Sequence, residues 1–281
     1  MIGKSGKLYV VATPIGNLED ITARALRVLS EVALIAAEDT RHTGKMLLHF
    51  GISTTMTSFH DHNERDRIPR ILQRLQQGED VALVSDAGTP LISDPGYELI
   101  RRAHRERIEV VPVPGASALL AALCASGLPI HGFVFEGFLP SRPAARRRRL
   151  EGLRAELRTI ALFESAHRIV ASLADMCDIL DGEREAVLAR ELTKVFETVR
   201  LDTLFNLYHW VDADPTRQKG EFVIIVQGAQ PADVAVDKMR RVLRPLLRQL
   251  PLKQAVATAA ELTGARRNAL YALAVELKQQ H

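Results

Sequence analysis

Short apolar, β-branched runs alternate with segments of helical period over residues 1–127, and this alternation restricts the fold more than any single motif. Residues 8–12, 32–37, 54–59, 81–84 and 108–113 read as strands, and 20–31, 38–50, 64–77, 97–107 and 116–126 as helices. Strands separated by helices specify βαβ crossovers and hence a mainly parallel sheet. In such sheets ligands sit beyond the carboxyl ends of the strands, so the turns that follow the strands are where a site is sought.

A second unit of different character begins after a hinge at Leu128-Pro129. Its strand-like runs, 133–138, 159–164, 186–192, 196–201 and 221–227, are interleaved with an arginine-rich helix near 142–158 and helices over 168–180 and 204–210. That order predicts a mixed sheet. From Pro231 onward only helical patterns remain, over 234–250, 252–263 and 265–279, joined at Pro251 and Gly264. Short helices so joined resemble a helix-turn-helix, a shape used by nucleic-acid binders, and serve equally as a helical cap on the second domain. The expected division is an α/β domain over 1–127, a second over 128–229 that forms a cleft with the first, and a helical extension over 230–281.

Three of the strand-end turns stand out. VALVSDAGTPLISDPG, residues 81–96, ends a buried strand in a loop where Ser85, Asp86, Thr89, Ser93 and Asp94 supply hydroxyls and carboxylates and Gly88 admits close backbone approach. Asp94-Pro95 also reads as a helix N-cap followed by proline at the first helical position. The first strand runs into Thr13-Pro14-Ile15-Gly16-Asn17 and the fifth into Pro114-Gly115-Ala116-Ser117-Ala118. These turns are expected to converge at one end of the sheet. No GxGxxG follows the first strand and no GxxxxGK[ST] occurs, so the phosphate cradles of dinucleotide and P-loop nucleotide sites are both missing.

With 47% hydrophobic residues, the 281-residue chain has enough apolar material for real cores. It has no apolar run near the roughly 18 to 20 residues of a membrane span and no signal-peptide core at its start, which predicts a cytoplasmic protein without a membrane partner. Cys124 and Cys177 lack CxxC spacing; both are expected to be core thiols, and no metal site is indicated. The net charge of +3 says little, but its distribution says more. Arginine gathers at Arg146, Arg147, Arg148 and Arg149, and basic residues again over 238–253 with Arg266 and Arg267. Either cluster alone reads as a solvated helix face; two in one chain point to a polyanionic partner.

TPIGNLED at 13–20, AEDTRHT at 37–43, SDAGTPLISDPG at 85–96 and VPGASA at 113–118, with FESAHR (163–168), ARELTKVFE (189–197) and KGEFVIIV (219–226), resemble the tetrapyrrole methylase superfamily. More narrowly they resemble its branch of small-subunit ribosomal RNA methyltransferases, type I. The resemblance implies two α/β domains with S-adenosylmethionine between them, homodimerisation, and methyl transfer to the 2′-hydroxyl of a cytidine in small-subunit (16S) ribosomal RNA or the assembled small subunit. It implies cofactor contacts at Asp86, Ala87, Gly88, Ser117 and Ala118 and, more loosely, at Ala189 and Gly220 in the second domain; Pro14, Ser85, Asp94 and Pro114 in the same turns are expected beside them, and Asn17 and the arginine cluster Arg146 to Arg149 toward RNA. S-adenosylmethionine carries no phosphate, which agrees with the missing cradles. A ribose hydroxyl must lose its proton, so a general base is expected; Glu191 with Lys194, Asp39 with Arg41, and His60 or His62 are the candidates. Methylation of a tetrapyrrole and non-catalytic RNA binding are the competing readings.

Overall fold

The computed structural model describes residues 5–279. The first unit contains β1 (Leu8–Val11), α1 (Ala23–Glu31), β2 (Leu34–Ala37), α2 (Thr40–His49), β3 (Met56–Ser58), α3 (Glu64–Gln76), β4 (Val81–Val84), α4 (Tyr97–Arg105), β5 (Val110–Val113) and α5 (Ala118–Ala125). Its five strands lie in the order β3-β2-β4-β1-β5, and every pair is parallel, as the alternation predicts. Both faces are buried. Leu8, Leu34, Val81 and Leu83 pack on Ile68, Ile71, Leu75 and Leu99 of α3 and α4. The alternate residues Val11, Ile35, Ala82 and Val84 pack on Ala25, Val28, Leu29 and Leu47 of α1 and α2. Strands covered on two sides read as continuous apolar runs, which is why the pattern in 81–84 shows no polar alternation.

The second unit follows with β6 (Phe133–Phe138), α6 (Pro143–Leu153), β7 (Thr159–Ser165), α7 (Ile169–Met176), β8 (Glu185–Arg190), β9 (Thr198–Thr203), α8 (Leu204–Asp212) and β10 (Glu221–Val226). The strand order is β6-β7-β10-β8-β9; β6 and β7 are parallel and the other pairs antiparallel, so the sheet is mixed. On one face Ile160, Leu162, Leu188, Phe222 and Ile224 pack against α6, α7 and α8. No helix of this unit covers the other face. Its Ala161, Val187, Ala189, Val223 and Ile225 instead pack on Leu119, Ala122 and Leu123 of α5 and on Ile15, all from the first unit. The apolar octapeptide ALLAALCA of α5 turns Leu119, Ala122 and Leu123 onto that sheet face and leaves Leu120 and Cys124 exposed on its other side.

The last three helices are α9 (Pro231–Gln249), α10 (Leu252–Thr263) and α11 (Arg267–Gln279). They enclose their own small core of Leu243, Val256, Ala259, Leu270, Leu273, Ala274 and Leu277. Among the described residues, no helix is long and apolar enough to cross a membrane.

Several boundaries differ from expectation for local reasons. The helix expected from residue 20 starts only at Ala23, because Asn17 first caps a short turn, Leu18–Asp20, and Thr22 then caps α1. The helix expected to run over 168–180 leaves α-geometry after Met176 and widens into a π-turn over Cys177–Asp181. Cys124 is exposed on α5 instead of lying in the core, and Cys177 is half-buried, with burial pushing its thiol up to about 11. Asp94 is no helix cap: Gly96, at φ 125°, holds that position before α4, with no side-chain cap hydrogen bond. Asp94 therefore keeps its carboxylate for the loop it stands in.

Candidate functional site

The three turns meet at the carboxyl edge of the first sheet. Thr13 N–H donates to Gly88 O at 2.9 Å and Gly88 N–H donates back to Thr13 O at 3.0 Å, a one-residue antiparallel bridge between the turns after β1 and β4. Thr13 Oγ1 donates to Ser85 O at 3.2 Å, and Thr89 Oγ1 to Ala116 O at 3.1 Å, which draws in the turn after β5. Gly88 has φ 80°, and a Cβ there would stand 3.2 Å from Ile15 Cγ2. Leu91 and Ser93 hold φ of 73° and 74° in the same loop, a strained arrangement for side-chain-bearing residues and one that accumulates at ligand sites.

A cleft of about 530 Å³ lies between this edge and the second sheet. The first-unit wall is acidic. Glu38, Asp86 and Asp94 line it; Asp86 accepts the Asp39 N–H at 2.9 Å, and Asp86 N–H donates to Glu38 at 3.3 Å. Burial pushes the Glu38 carboxyl above its ordinary value. Burial, followed by the charge of Glu38, pushes Asp94 up to about 6. Three carboxylates held together at partial burial form a site short of a positive charge.

The opposite wall is more apolar, built from Phe138, Phe163 to His167, Ala189, Leu192 and 220–223. Phe163 is held edge-on by Phe135 and Phe138 at 4.9 and 5.7 Å. Glu164 is almost wholly buried, and its charge is met by Arg168 at 2.6 Å, Ser172 Oγ at 2.6 Å and Ser165 N–H at 2.7 Å. These bonds fix the end of β7 against the cleft.

Of the expected cofactor residues, Asp86, Ala87, Gly88, Asp94, Ser117, Ala118, Ala189 and Gly220 line the cleft. Ser117 also caps α5, accepting Leu120 N–H at 3.4 Å. None of Pro14, Ser85 and Pro114 lines the cleft: Pro14 and Ser85 are buried while their neighbours Ile15 and Ala87 line it, and Pro114 is exposed to solvent. Glu38 and the 163–167 segment were not singled out from sequence, although AEDTRHT and FESAHR contain them. Their signal is the position at a strand end: Glu38 follows β2, and 163–167 span the last residues of β7 and the turn after it.

Glu191 and Lys194 stand at the rim, one contact from the cleft. Lys194 Nζ bonds Glu191 at 2.9 Å and Glu221 at 2.8 Å, and Glu191 also accepts Glu221 N–H at 3.0 Å. The Lys194 side chain lies over the turn after β1 so closely that a Cβ on Gly16 would fall 2.3 Å from its Cγ. Burial raises the Glu191 carboxyl, but the bonds from Lys194 and Glu221 outweigh it and hold the group below its ordinary value. Burial lowers the Lys194 ammonium, and its two carboxylate partners outweigh that, leaving it raised.

The other expected catalytic groups are placed elsewhere. Asp39 caps α2 and pairs with Arg41 at 2.7 Å; the Arg41 guanidinium holds its carboxyl well below the usual range, and neither residue lines the cleft. His60 faces Asn63 at 3.1 Å and the His62 ring at 6.0 Å in a loop and does not line the cleft. Asn17 is exposed, its side chain engaged with Glu19 N–H.

Three of the four arginines expected to face RNA are held by carboxylates of the second unit instead. Arg146 is buried and its Nε bonds Asp175 at 2.6 Å, so it cannot meet RNA. Arg147 pairs with Asp175 at 2.5 Å and Asp178 at 3.1 Å, and Arg149 pairs with Glu136. Among the four, Arg148 alone is exposed without an ion pair to the described residues.

Comparison with known proteins agrees with this geometry. Residues 7–208 match the model for Tetrapyrrole (Corrin/Porphyrin) Methylases, and residues 232–278 that for the RsmI C-terminal HTH domain. A relative from Pseudomonas aeruginosa, ribosomal RNA small subunit methyltransferase I, is 55% identical over 276 residues, covering 97% of this chain and 98% of its own. Among solved structures, a cobalt precorrin-4 methyltransferase superposes with a TM-score of 0.60 at 18% identity, covering 79% of this chain and 94% of its own. A Thermus thermophilus uroporphyrin-III C-methyltransferase complexed with S-adenosylhomocysteine gives a TM-score of 0.52 at 17% identity, covering 79% and 97%. At these identities the structures speak to the fold.

Proposed function

The chain belongs to the tetrapyrrole methylase family, and from that premise we propose that it transfers a methyl group from S-adenosylmethionine to small-subunit ribosomal RNA. The cleft with one acidic and one apolar wall carries this reading. Its finer terms are the 2′-hydroxyl of a cytidine as acceptor, action as a cytoplasmic homodimer, the small subunit as partner, and the division into units 1–127, 128–229 and 230–281. Homodimerisation is supported by the edge strand β9 and the turn before it, where Val195, Phe196, Val199 and Leu201 are exposed in one stretch.

The donor set suits this cofactor. A site for a phosphate-bearing nucleotide would set backbone N–H groups or basic side chains around an anion; this one sets Glu38, Asp86 and Asp94 around a space. Bound S-adenosylmethionine supplies a methyl group on a sulfonium, open to attack by oxygen. The chain's contribution is position and field. The carboxylates favour the cationic sulfonium and ammonium, Phe138 and Phe163 offer apolar surface, and the backbone at Gly88 and Gly220 admits close approach. When the ribose oxygen forms its bond to carbon, its proton must leave to an acceptor. Glu191, expected in that role, is held low by Lys194, and a carboxylate so held is a weak base. In this proposal the Glu191–Lys194–Glu221 set therefore acts by position, holding the turn at Gly16 against the second unit.

The raised Asp94 sets a pH dependence. A cation in the cleft favours ionised Asp94, so binding releases a proton wherever the free protein still holds one. Affinity should therefore be level above about pH 7 and fall by up to about tenfold per pH unit below about 6. Calorimetric titration across pH reads this directly, and Asp94→Asn should flatten the profile.

The function itself is tested with labelled S-adenosylmethionine and, separately, small ribosomal subunits, naked 16S RNA and uroporphyrinogen. Label is expected in RNA, recovered as 2′-O-methylcytidine after digestion. Label only in the macrocycle, or in none of the three, overturns the proposal.

A further inference from the structure

We propose that the substrate RNA is gripped through its phosphates by the three-helix unit α9–α11, and not by the arginine-rich helix α6. The inference rests on the ribosomal-RNA reading above. Residues 231–281 hold nine lysines and arginines against four aspartates and glutamates, a net +5; since the whole chain is +3, residues 1–230 carry −2. The positive excess of the protein belongs entirely to its last three helices.

Pairing sharpens the contrast. The α6 arginines Arg146, Arg147 and Arg149 are neutralised by Asp175, Asp178 and Glu136. Arg244, Arg248, Lys253, Arg266 and Arg267 are all exposed, and none has a carboxylate partner among the described residues. One of the few acidic groups nearby, Glu276, is taken up by Arg240 at 2.9 Å. Cations left without internal partners keep their full attraction for an external polyanion, and release of its condensed counterions drives the association.

Their arrangement is ordered by the fold. Arg244 and Arg248 are four residues apart on α9 and share a face, and Lys253 opens α10 just past the break at Pro251. Arg266 and Arg267 stand where Gly264, at φ 70°, reverses the chain between α10 and α11. With 12 residues, α10 is about 18 Å long, so the cations form groups toward its two ends. The separate core of Leu243, Val256, Leu270 and Ala274 makes this a rigid platform for two stretches of backbone. Tyr271, one turn beyond Arg267 and 46% exposed, presents a ring on which an unpaired base can stack.

The test uses the full chain with Arg244→Gln, Arg248→Gln, Lys253→Gln, Arg266→Gln and Arg267→Gln combined, and naked 16S RNA as the probe, between about 50 and 200 mM KCl. The slope of log affinity against log salt should shrink by about 3.5 to 4.5, with at least about tenfold weaker binding at mid-range salt. S-adenosylmethionine affinity should be unchanged, and a helical circular-dichroism signal equal to wild type verifies that the three-helix unit is folded. A triple variant limited to Arg244, Arg248 and Lys253 should lose a slope of about 2 to 3. An unchanged slope in a folded variant overturns the inference. So does a loss confined to assembled subunits with naked RNA bound as before, which assigns the patch to a ribosomal protein. If the wild-type chain neither binds nor methylates RNA, the ribosomal reading fails first.

Discussion

Gly220→Val is expected to weaken S-adenosylmethionine binding by about 100-fold, with the secondary structure intact. Gly220 lines the cleft at φ 101°, a conformation that residues with a Cβ rarely adopt and that costs them roughly 1–3 kcal/mol. Space is the second obstacle. A Cβ at Gly220 would stand 2.5, 2.6 and 2.7 Å from Glu191 Cγ, Cδ and Oε1. Glu191 has nowhere easy to go, since it is pinned by Lys194 Nζ and by Glu221 N–H. The segment must move outward, carrying Glu221 to Val223 of the cleft wall with it. Calorimetry checks the affinity and circular dichroism the fold; a dissociation constant within twofold of wild type would contradict this account of the wall. Gly220→Ala should show the same direction with a smaller effect.

Asp175→Ala is expected to cost about 3–5 kcal/mol of stability, read as a lowered urea midpoint of the second unit. The substitution leaves the guanidinium of Arg146 buried without its partner, and a lone buried charge is far more costly than the pair it came from. Replacing both partners, Arg146→Met with Asp175→Leu, should recover much of the loss. Arg148→Ala, on the exposed side of the same helix, should leave the midpoint where it is. A midpoint equal to wild type in Asp175→Ala would mean that Arg146 reaches water and that α6 is free to meet other charges.

These two predictions mark where sequence reading succeeded and where it stopped. All ten strands, the parallel first sheet and the mixed second sheet were legible, because hydrophobic period depends on near neighbours. So was the meeting of the turns at Thr13, Gly88 and Ser117, since a parallel sheet sends the ends of its strands to one edge. Ala189 and Gly220 were assigned to the cofactor by resemblance, and the structure sets both in the cleft wall. Pro14 and Ser85 stand next in the chain to residues that line the cleft, but which side chain faces it is a matter of tertiary packing.

The arginine tetrad misled for a related reason. Four consecutive basic residues look alike in one dimension, yet on a helix they point in different directions, and Arg146 points into the second core. Its partner Asp175 is 29 residues away in another helix, in a segment with no pattern linking the two. Periodicity, turn chemistry and net charge were thus determined by the sequence itself, being properties of residues close along the chain. Which face of α5 closes the second sheet, how burial and then the neighbouring Glu38 push Asp94 up to about 6, and which arginines are spent on internal partners were decided only by the tertiary structure. Each depends on distances between residues far apart in the chain, and burial and charge pairing act through those distances.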